Sequence, residues 1–389
     1  MKKRQIAHFF ADDKFFGNAI CLFDTLDNYQ SVYYTISDRS EFVFLDTNKI
    51  VVIHPDEVLT KVTDSSFCDI LILHSLYTIP LEIIGRINPA ISVVWFSWGF
   101  DIYNNTYPKY PLIKLRNQYI EPQRKITEKI KQTMSLLRLK LWRIRNYWLG
   151  EGRKNRKIFE KAINRVDYFS GVFPEEYDLM NKRKIFRAKR FVFNYSSANF
   201  FSENTVNDFD TPQGRDIQIG HNGTRLVNHI DVLNRLSKLS LKDRKIISPL
   251  SYQVDKHYFN QIVNRGYELF GVNFEAITTF LPIKEYEKRL SSVGYVIINA
   301  KRQIAVGNAL LGIWNGSKVF FPKKSMNYLH FVDMGIKVFA IENDLNEKEL
   351  SSHLTRDEII NNRRIISDYY RFERVRERLI ESLKGCSIN

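Results

Sequence analysis

Cysteine is scarce in this chain of 389 residues, with only Cys21, Cys68 and Cys386 present. They are far apart, odd in number and form no CxxC pair, which argues against a disulfide framework or a zinc site and predicts a reducing, cytoplasmic setting. Long hydrophobic runs are missing too. No stretch of 18 or more apolar residues occurs, so a spanning helix of the usual kind is excluded. The opening "MKKRQIAHFFADDKFF" has basic residues, but Asp12 and Asp13 break its apolar run at once, so it does not read as a signal peptide. Walker A and GxGxxG loops are absent, which excludes a standard NTPase or dinucleotide loop. Helix-turn-helix, RRM, KH and zinc-finger signatures are absent as well. Acidic residues fall short of basic ones, 43 against 58, leaving a net charge of +15 that calls for an acidic partner: nucleic acid, anionic lipid or a phosphorylated substrate.

What is present reads as a globular chain, since 44% of its residues are apolar and only 26% charged. The length suits two domains of ordinary size. Residues 1–201 alternate apolar runs with helix-like segments; "QIAHFF", "SVYYTI", "FVFL", "IVVI", "DILILH" and "ISVVWFSW" are strand candidates. "DILILH" and "ISVVWF" are apolar on successive positions, as parallel strands covered on both faces should be. "RVDYFSGVF" and "RFVFNY" add two more strands around a short helix. Residues 202–216 are polar and rich in turn formers, the composition of a linker. Alternation restarts over 217–350 with "DIQIG", "RKIISPL", "GVNFEAIT", "VGYVIINA", "SKVFFP" and "IKVFAI", and residues 351–389 are helical by period. The prediction is an α/β chain of two doubly wound, Rossmann-like domains facing a cleft, with chemistry in the loops that follow strands.

Two such loops carry cations beside glycine. In "IQIGHNGTRLVNHI" a strand ends at Gly220, a turn passes through Asn222 and Gly223, and a helix begins near Arg225 and His229. Free backbone N–H groups beside an arginine form a phosphate or diphosphate site. The alternative is an ordinary Asn-Gly turn. In "INAKRQIAVGNALLGIWNG", Lys301, Arg302 and Gln303 precede a helix whose start is rich in small residues and carries Asn308; a solvated loop is the alternative. Between these, "SPLSY" offers Ser251 and Tyr252 as hydroxyl ligands.

The first half has its own strand-end residues. Asp12 and Asp13 follow the first strand and His74 ends "ILILH", positions suited to a general base or equally to a turn. "VVWFSWGFDIYNN" ends a strand with Trp95, Phe96 and Trp98, then Gly99, Asp101 and Tyr103; Trp98, Asp101 and Tyr103 would form a sugar-stacking wall beside a carboxylate. The "DFD" at 208–210 mimics a metal-binding DxD but falls in the linker, so no metal is assigned.

Most of the charge excess is local. Residues 113–157 hold 14 Lys or Arg against 3 Glu. Within them Ile126, Ile130, Met134, Leu137, Leu141, Ile144 and Trp148 recur at helical spacing, flanked by basic residues. That pattern suits an interfacial helix on an anionic membrane. A long helix packed on its domain is the alternative, and nucleic acid is the competing partner for its charge.

Three stretches, "VVWFSWGFDIY", "IQIGHNGTRLVNHI", and "ELF" through "VGYVIINAKRQIAVGNALLGIWNG", give the chain a resemblance to a known group. It resembles the bacterial transferases of 4-acetamido-4,6-dideoxygalactose onto lipid-linked saccharides, glycosyltransferase family 56 of enterobacterial common antigen synthesis. The resemblance implies a metal- and cofactor-independent GT-B hexosyltransferase. Its partners would be a dTDP-sugar donor, a polyprenyl-diphosphate-linked acceptor and an anionic membrane, with no nucleic acid, and its place the cytoplasmic face of the bacterial inner membrane. It also implies that Asp13, Asn18, His74, Trp98, Gly99 and Asp101 are site residues, with Asp13, Asp101 or His74 catalytic and Asn18, Trp98 and Gly99 meeting the acceptor; Tyr103 joins the acceptor side from the strand-end reading alone. For the donor it implies Gly220, Gly223, Arg225, His229, Arg302 and Gln303; the loops themselves add Asn222, Ser251, Tyr252, Lys301 and Asn308 as candidate donor ligands. The sequence departs from the family at Asn308, where Thr is usual, at Thr224, where an acidic residue is usual, and in the length of the basic segment. Its C-terminal domain, residues 217–350, also lacks the Glu-x7-Glu pair of many retaining GT-B enzymes. A UDP- or GDP-sugar transferase for capsule or lipopolysaccharide, and a non-catalytic binder of nucleic acid or anionic glycan, are the alternatives.

Overall fold

The apolar runs become strands of two separate parallel sheets in the computed structural model. It describes residues 3–11, 16–36, 45, 47–103, 134, 137–138, 141, 151–182, 186–195, 206–207, 214–241, 243–252, 255–279, 281–282, 285–286, 289 and 292–386. These fall into two units. One comprises the described residues up to Tyr195 together with those from Phe372 onward, and the other runs from Val206 to Arg371.

In the first unit β1 (Arg4–Phe10), β2 (Tyr29–Thr35), β3 (Ile50–Val52), β4 (Ile70–Leu73), β5 (Ser92–Phe96), β6 (Tyr168–Ser170) and β7 (Lys189–Arg190) form a sheet in the order β3-β2-β1-β4-β5-β6-β7. Every described pairing is parallel. All residues of β4 and β5 are buried, which accounts for their continuous apolar runs: a parallel strand covered on both faces has no solvent side on which to place a polar residue. The helices are α1 (Phe16–Phe23), α2 (Pro55–Thr63), α3 (Leu81–Ile84), α4 (Phe100–Tyr103), α5 (Glu151–Arg165) and α6 (Pro174–Asn181). "RFVFNY", expected to be a strand throughout, keeps the ladder only as far as Phe191, whose N donates to Phe169 O at 2.9 Å; Phe193 N turns to Ser170 Oγ instead, and both rings fill the core beside Phe96.

The second sheet holds β8 (Asp216–Ile219), β9 (Ile246–Pro249), β10 (Phe274–Ile277), β11 (Val293–Ile297), β12 (Lys318–Phe321) and β13 (Phe339–Ala340) in the order β10-β9-β8-β11-β12-β13. Its helices are α7 (His229–Leu236), α8 (Lys256–Phe270), α9 (Val306–Trp314), α10 (Met326–Asp333), α11 (Ile341–Asp344), α12 (Glu347–Leu350) and α13 (Arg356–Tyr370). Asp255 caps α8 by accepting from Tyr258 N, and Ser325 caps α10 in the same way, so both helix starts follow the usual short-polar rule. The run "IKVFAI" yields a strand of two residues because the chain turns into α11 at Ile341.

The helical C-terminal stretch divides between the units. Arg363 of α13 donates Nε to Trp314 O at 2.6 Å, within the second unit. The last helix, α14 (Phe372–Lys384), lays Val375, Leu379 and Leu383 into the core of the first sheet, beside Ile6, Phe10 and Phe23. Arg376 ties it to Thr25 O at 2.8 Å, and Arg4 reaches Cys386 O at 2.9 Å.

Each sheet reverses its winding once. In the first unit the chain moves outward from β1 through β2 to β3, then returns to place β4 on the other side of β1. In the second it moves from β8 through β9 to β10 and returns with β11. At such a switch point the loops leaving the carboxyl ends of the two central strands separate, and a ligand crevice opens between them.

Candidate active site

The second switch point lies between β8 and β11, and the loops leaving those strands hold most of the donor-side residues named from the sequence. Gly220 follows β8 with φ +69°, a left-handed backbone that glycine adopts freely. A Cβ there would stand 2.6 Å from both His229 Nε2 and Val227 Cγ1, so glycine is also required for space. Asn222 is buried, and its Oδ1 accepts from the backbone and hydroxyl of Thr224. Gly223 N donates to Tyr252 O at 3.1 Å, which joins this loop to the one carrying Ser251 and Tyr252.

Asn228 closes the turn in the left-handed region and donates Nδ2 to Asn299 O at 2.8 Å, stitching the β8 loop to the β11 loop. His229, the first residue of α7, is fully buried, and neither ring nitrogen has a partner among the described residues. Burial holds its pKa down at about 3, so it is a neutral imidazole. Arg225 donates Nε to Asp255 at 2.9 Å and its guanidinium lies over the Tyr258 ring at 5.1 Å.

On the β11 side, Lys301 is half-buried while Arg302 and Gln303 are buried. α9 then starts from Ala305 at φ +60°, a left-handed conformation without a glycine. Asn308 sits in the first turn and accepts from the Tyr286 hydroxyl at 2.5 Å, while Gln218 Nε2 donates to Gly220 O at 2.8 Å. Gly307 is exposed, and a Cβ there would meet nothing within 4 Å. Among the described residues that side of the first turn of α9 is therefore open, at the helix end that carries the positive pole of the dipole.

In the first unit the switch point lies between β1 and β4. Asp13 falls outside the described residues, as do the "DFD" residues of the linker. His74, directly after β4, is buried; its Nε2 meets His8 Nδ1 at 3.0 Å and its Nδ1 bonds the Tyr195 hydroxyl. His8 continues the chain to Ser31 Oγ at 3.2 Å. Burial keeps both imidazoles neutral, pushing His8 down to about 3 and His74 well below its ordinary value. Asn18 is exposed and donates Nδ2 to Tyr195 O at 3.2 Å. Trp98 is half-buried with its ring 4.3 Å from that of Tyr195. The aromatic pair at this end is thus Trp98 with Tyr195; Tyr103, expected beside them on the wall, is buried in the core.

The structure gives Asp101 a different part from the base expected of it. It is 2% exposed, and its two oxygens accept from four donors: Trp95 Nε1 at 2.8 Å and Leu76 N at 3.2 Å on one, Ser97 Oγ at 2.8 Å and Trp98 N at 3.2 Å on the other. Burial raises its pKa while the hydrogen bonds pull it back. A carboxylate so enclosed cannot reach an incoming hydroxyl; it ties the β4 loop to the β5 loop and orients Trp98. Gly99, at φ +82°, lets the chain make the turn.

All three non-glycine residues with positive φ among the described residues, Ser75, Asn228 and Ala305, lie on loops that follow β4, β8 and β11. Such strain concentrates where a ligand is held. His8, Tyr195, Asp255 and Asn299 were not legible as site residues: each acquires a role only through a neighbour distant in sequence, while Ala305 was legible only as a small residue at a helix start, not as a left-handed one. A cavity of about 380 Å³ lined by Asp216, Lys245, Glu275, Glu285 and Arg289 lies at the opposite, amino-terminal ends of β8 to β10, away from these loops. Among the described residues, no three His, Cys, Asp or Glu side chains gather to hold a metal ion, and no helix is long and apolar enough to cross a membrane.

No family profile and no curated protein matches the chain. Its structure is similar to several solved glycosyltransferases. Anabaena Alr3699/HepE, solved with UDP and glucose, is 11% identical with a TM-score of 0.60 over 98% of this chain and 100% of its own. Sucrose-phosphate synthase of Thermosynechococcus elongatus is 9% identical with a TM-score of 0.62, covering 99% and 100%. The lipopolysaccharide outer core galactosyltransferase WaaB, in its apo form, is 8% identical with a TM-score of 0.57, covering 99% of both chains. Together with the two parallel sheets, this likeness establishes an α/β fold of the GT-B type.

Proposed function

We propose that this chain is a glycosyltransferase that moves a sugar from a nucleoside-diphosphate donor, bound at the second switch point, to a saccharide acceptor met by the first unit. The observation that carries the reading is the start of α9. A left-handed residue, Ala305, starts the helix, Gly307 in its first turn is exposed, and the buried Arg302 and Gln303 precede it in the same loop. A diphosphate leaving group develops negative charge as the bond from the anomeric carbon to its phosphate oxygen breaks. Helix N–H groups, Arg225 and Lys301 or Arg302 would stabilise that charge. The attacking hydroxyl loses its proton to a base, for which Asp13 is the candidate; His74, the other residue expected in that role, is as enclosed as Asp101, with both ring nitrogens engaged by His8 and Tyr195. The three-stretch resemblance supports a dTDP-linked deoxyamino sugar, such as 4-acetamido-4,6-dideoxygalactose, as donor and a polyprenyl-diphosphate-linked oligosaccharide as acceptor, in surface polysaccharide assembly. A UDP-sugar is the second reading, favoured by the UDP and UDP-glucose complexes of HepE.

Isothermal titration with dTDP, UDP and GDP tests the donor site. One of them binds, and Arg225→Ala weakens it; no binding, or an unaffected variant, refutes the assignment.

Membrane attachment at the cytoplasmic face of the bacterial inner membrane belongs to the same proposal. Met134, Leu137 and Leu141 of the apolar stripe are helical and exposed, at 55%, 58% and 59%, in the most basic part of the chain. Apolar side chains left in water beside arginine and lysine are what an anionic lipid surface takes up.

A further inference from the structure

The first turn of α9 is held open from outside the helix. Ala305 occupies the left-handed region, which a residue with a Cβ enters only when its surroundings over-determine it. The surroundings here are the start of α10. Asn327, wholly buried and second in that helix, donates Nδ2 to Ile304 O at 2.8 Å, and the neighbouring Met326 N donates to Lys301 O at 3.3 Å. The turn from Lys301 to Ile304 is thereby gripped at both ends. Ala305 O then accepts from Ala309 N at 2.9 Å, and the regular helix begins.

Two buried polar atoms belong to this device and have no partner among the described residues: Gln303 Nε2, on a side chain 5% exposed, and Asn327 Oδ1. An orphaned buried donor is costly, and a phosphate oxygen, which accepts, would satisfy Gln303 Nε2. The open space at Gly307 lies at the same helix start.

We propose that Asn327 is a positioning residue for an anion-binding turn: by holding the Ile304 carbonyl it keeps Ala305 left-handed, and the first N–H groups of α9 are thereby presented to the diphosphate of the donor. The identity of the anion rests on the glycosyltransferase reading; the turn does not. If Asn327 acts through the conformation of residue 305, a glycine there should remove the need for it, because glycine takes positive φ without steric cost.

The test measures UDP, dTDP, GDP and inorganic pyrophosphate binding by calorimetry to the wild type, Asn327→Ala, Ala305→Gly and the double variant. Asn327→Ala is expected to weaken binding about tenfold, the effect of losing one well-placed hydrogen bond. Adding Ala305→Gly should restore affinity to within about threefold. Should Asn327→Ala not fold, Asn327→Ser, which keeps a shorter donor, must show a smaller loss and the same recovery. Binding that ignores Asn327→Ala, or a loss that Ala305→Gly does not repair, overturns the inference while leaving nucleotide binding intact. If pyrophosphate follows the expected pattern and no nucleotide binds, the donor reading fails and the inference stands. If wild-type protein binds none of the four, the turn is not an anion site and the inference falls.

Discussion

Glu176 offers a sharp test of the energetics of the first unit. It lies in the first turn of α6, wholly buried, with Oε2 accepting from Phe173 N at 3.1 Å and the Tyr103 hydroxyl and Asp101 carboxylate facing it. Burial, reinforced by Asp101, pushes its pKa from 4.5 up to about 7. The folded state therefore holds this proton more tightly than the unfolded chain does. Stability conferred by the protonated carboxyl is fully present below about pH 4.5 and is lost as pH rises through 7. At 1.36 kcal/mol for each pH unit of displacement, the ionised carboxylate costs the fold about 3 kcal/mol above neutrality. Glutamine has the shape of the protonated acid and no charge. Glu176→Gln should thus be about 3 kcal/mol more stable than wild type at pH 8 and nearly equal to it at pH 5. Urea denaturation followed by tryptophan fluorescence, which samples Trp95 and Trp98 of this unit, measures the difference across pH. A variant no more stable at pH 8, or one whose advantage is the same at pH 5, would refute the reasoning.

Other outcomes follow from the same contacts. Asp101→Asn keeps one acceptor oxygen but turns an NH2 toward former donors; it should cost about 1–3 kcal/mol of stability and loosen Trp98, seen as a shifted fluorescence maximum. Gly220→Ala must place a Cβ against His229 and Val227 at positive φ; a loss of at least about 2 kcal/mol, with weakened nucleotide binding, is expected in denaturation and calorimetry. His8 and His229, both buried with pKa near 3, act opposite to Glu176. Their stability is present above about pH 6.5 and lost on acidification, about 2 kcal/mol for each between pH 6.5 and 5, and His229→Gln should lack its share of that slope. For the basic segment, wild-type protein should float with anionic liposomes and not with neutral ones, and Leu137→Glu/Leu141→Glu should abolish flotation; equal partitioning onto both lipids contradicts the membrane proposal.

Much of the architecture was legible before any coordinates. Uninterrupted runs such as "ILIL" and "SVVWF" require cover on both faces, hence parallel strands, and their alternation with amphipathic segments required crossover helices. The glycines at 99 and 220 stood out where strands end, because only a residue without Cβ turns freely there. These are local properties, carried by the residue itself and its near neighbours. The bonding of Asp101 was not legible, because four donors from β5 and two loops close around it; nor was the His8–His74–Tyr195 chain, which joins residues from β1, the loop after β4 and the segment after β7. Ala305 gives no sign in sequence of a left-handed backbone. Its conformation is held by Asn327, 22 positions later, and only the packing of the α10 start against the β11 loop brings the two together. Periodicity and turn chemistry thus determined which segments fold into what. Which side chains meet, and so which carboxylate is enclosed and which helix start is open, was decided by tertiary packing alone, since burial and hydrogen-bond partners come from strands distant in the chain.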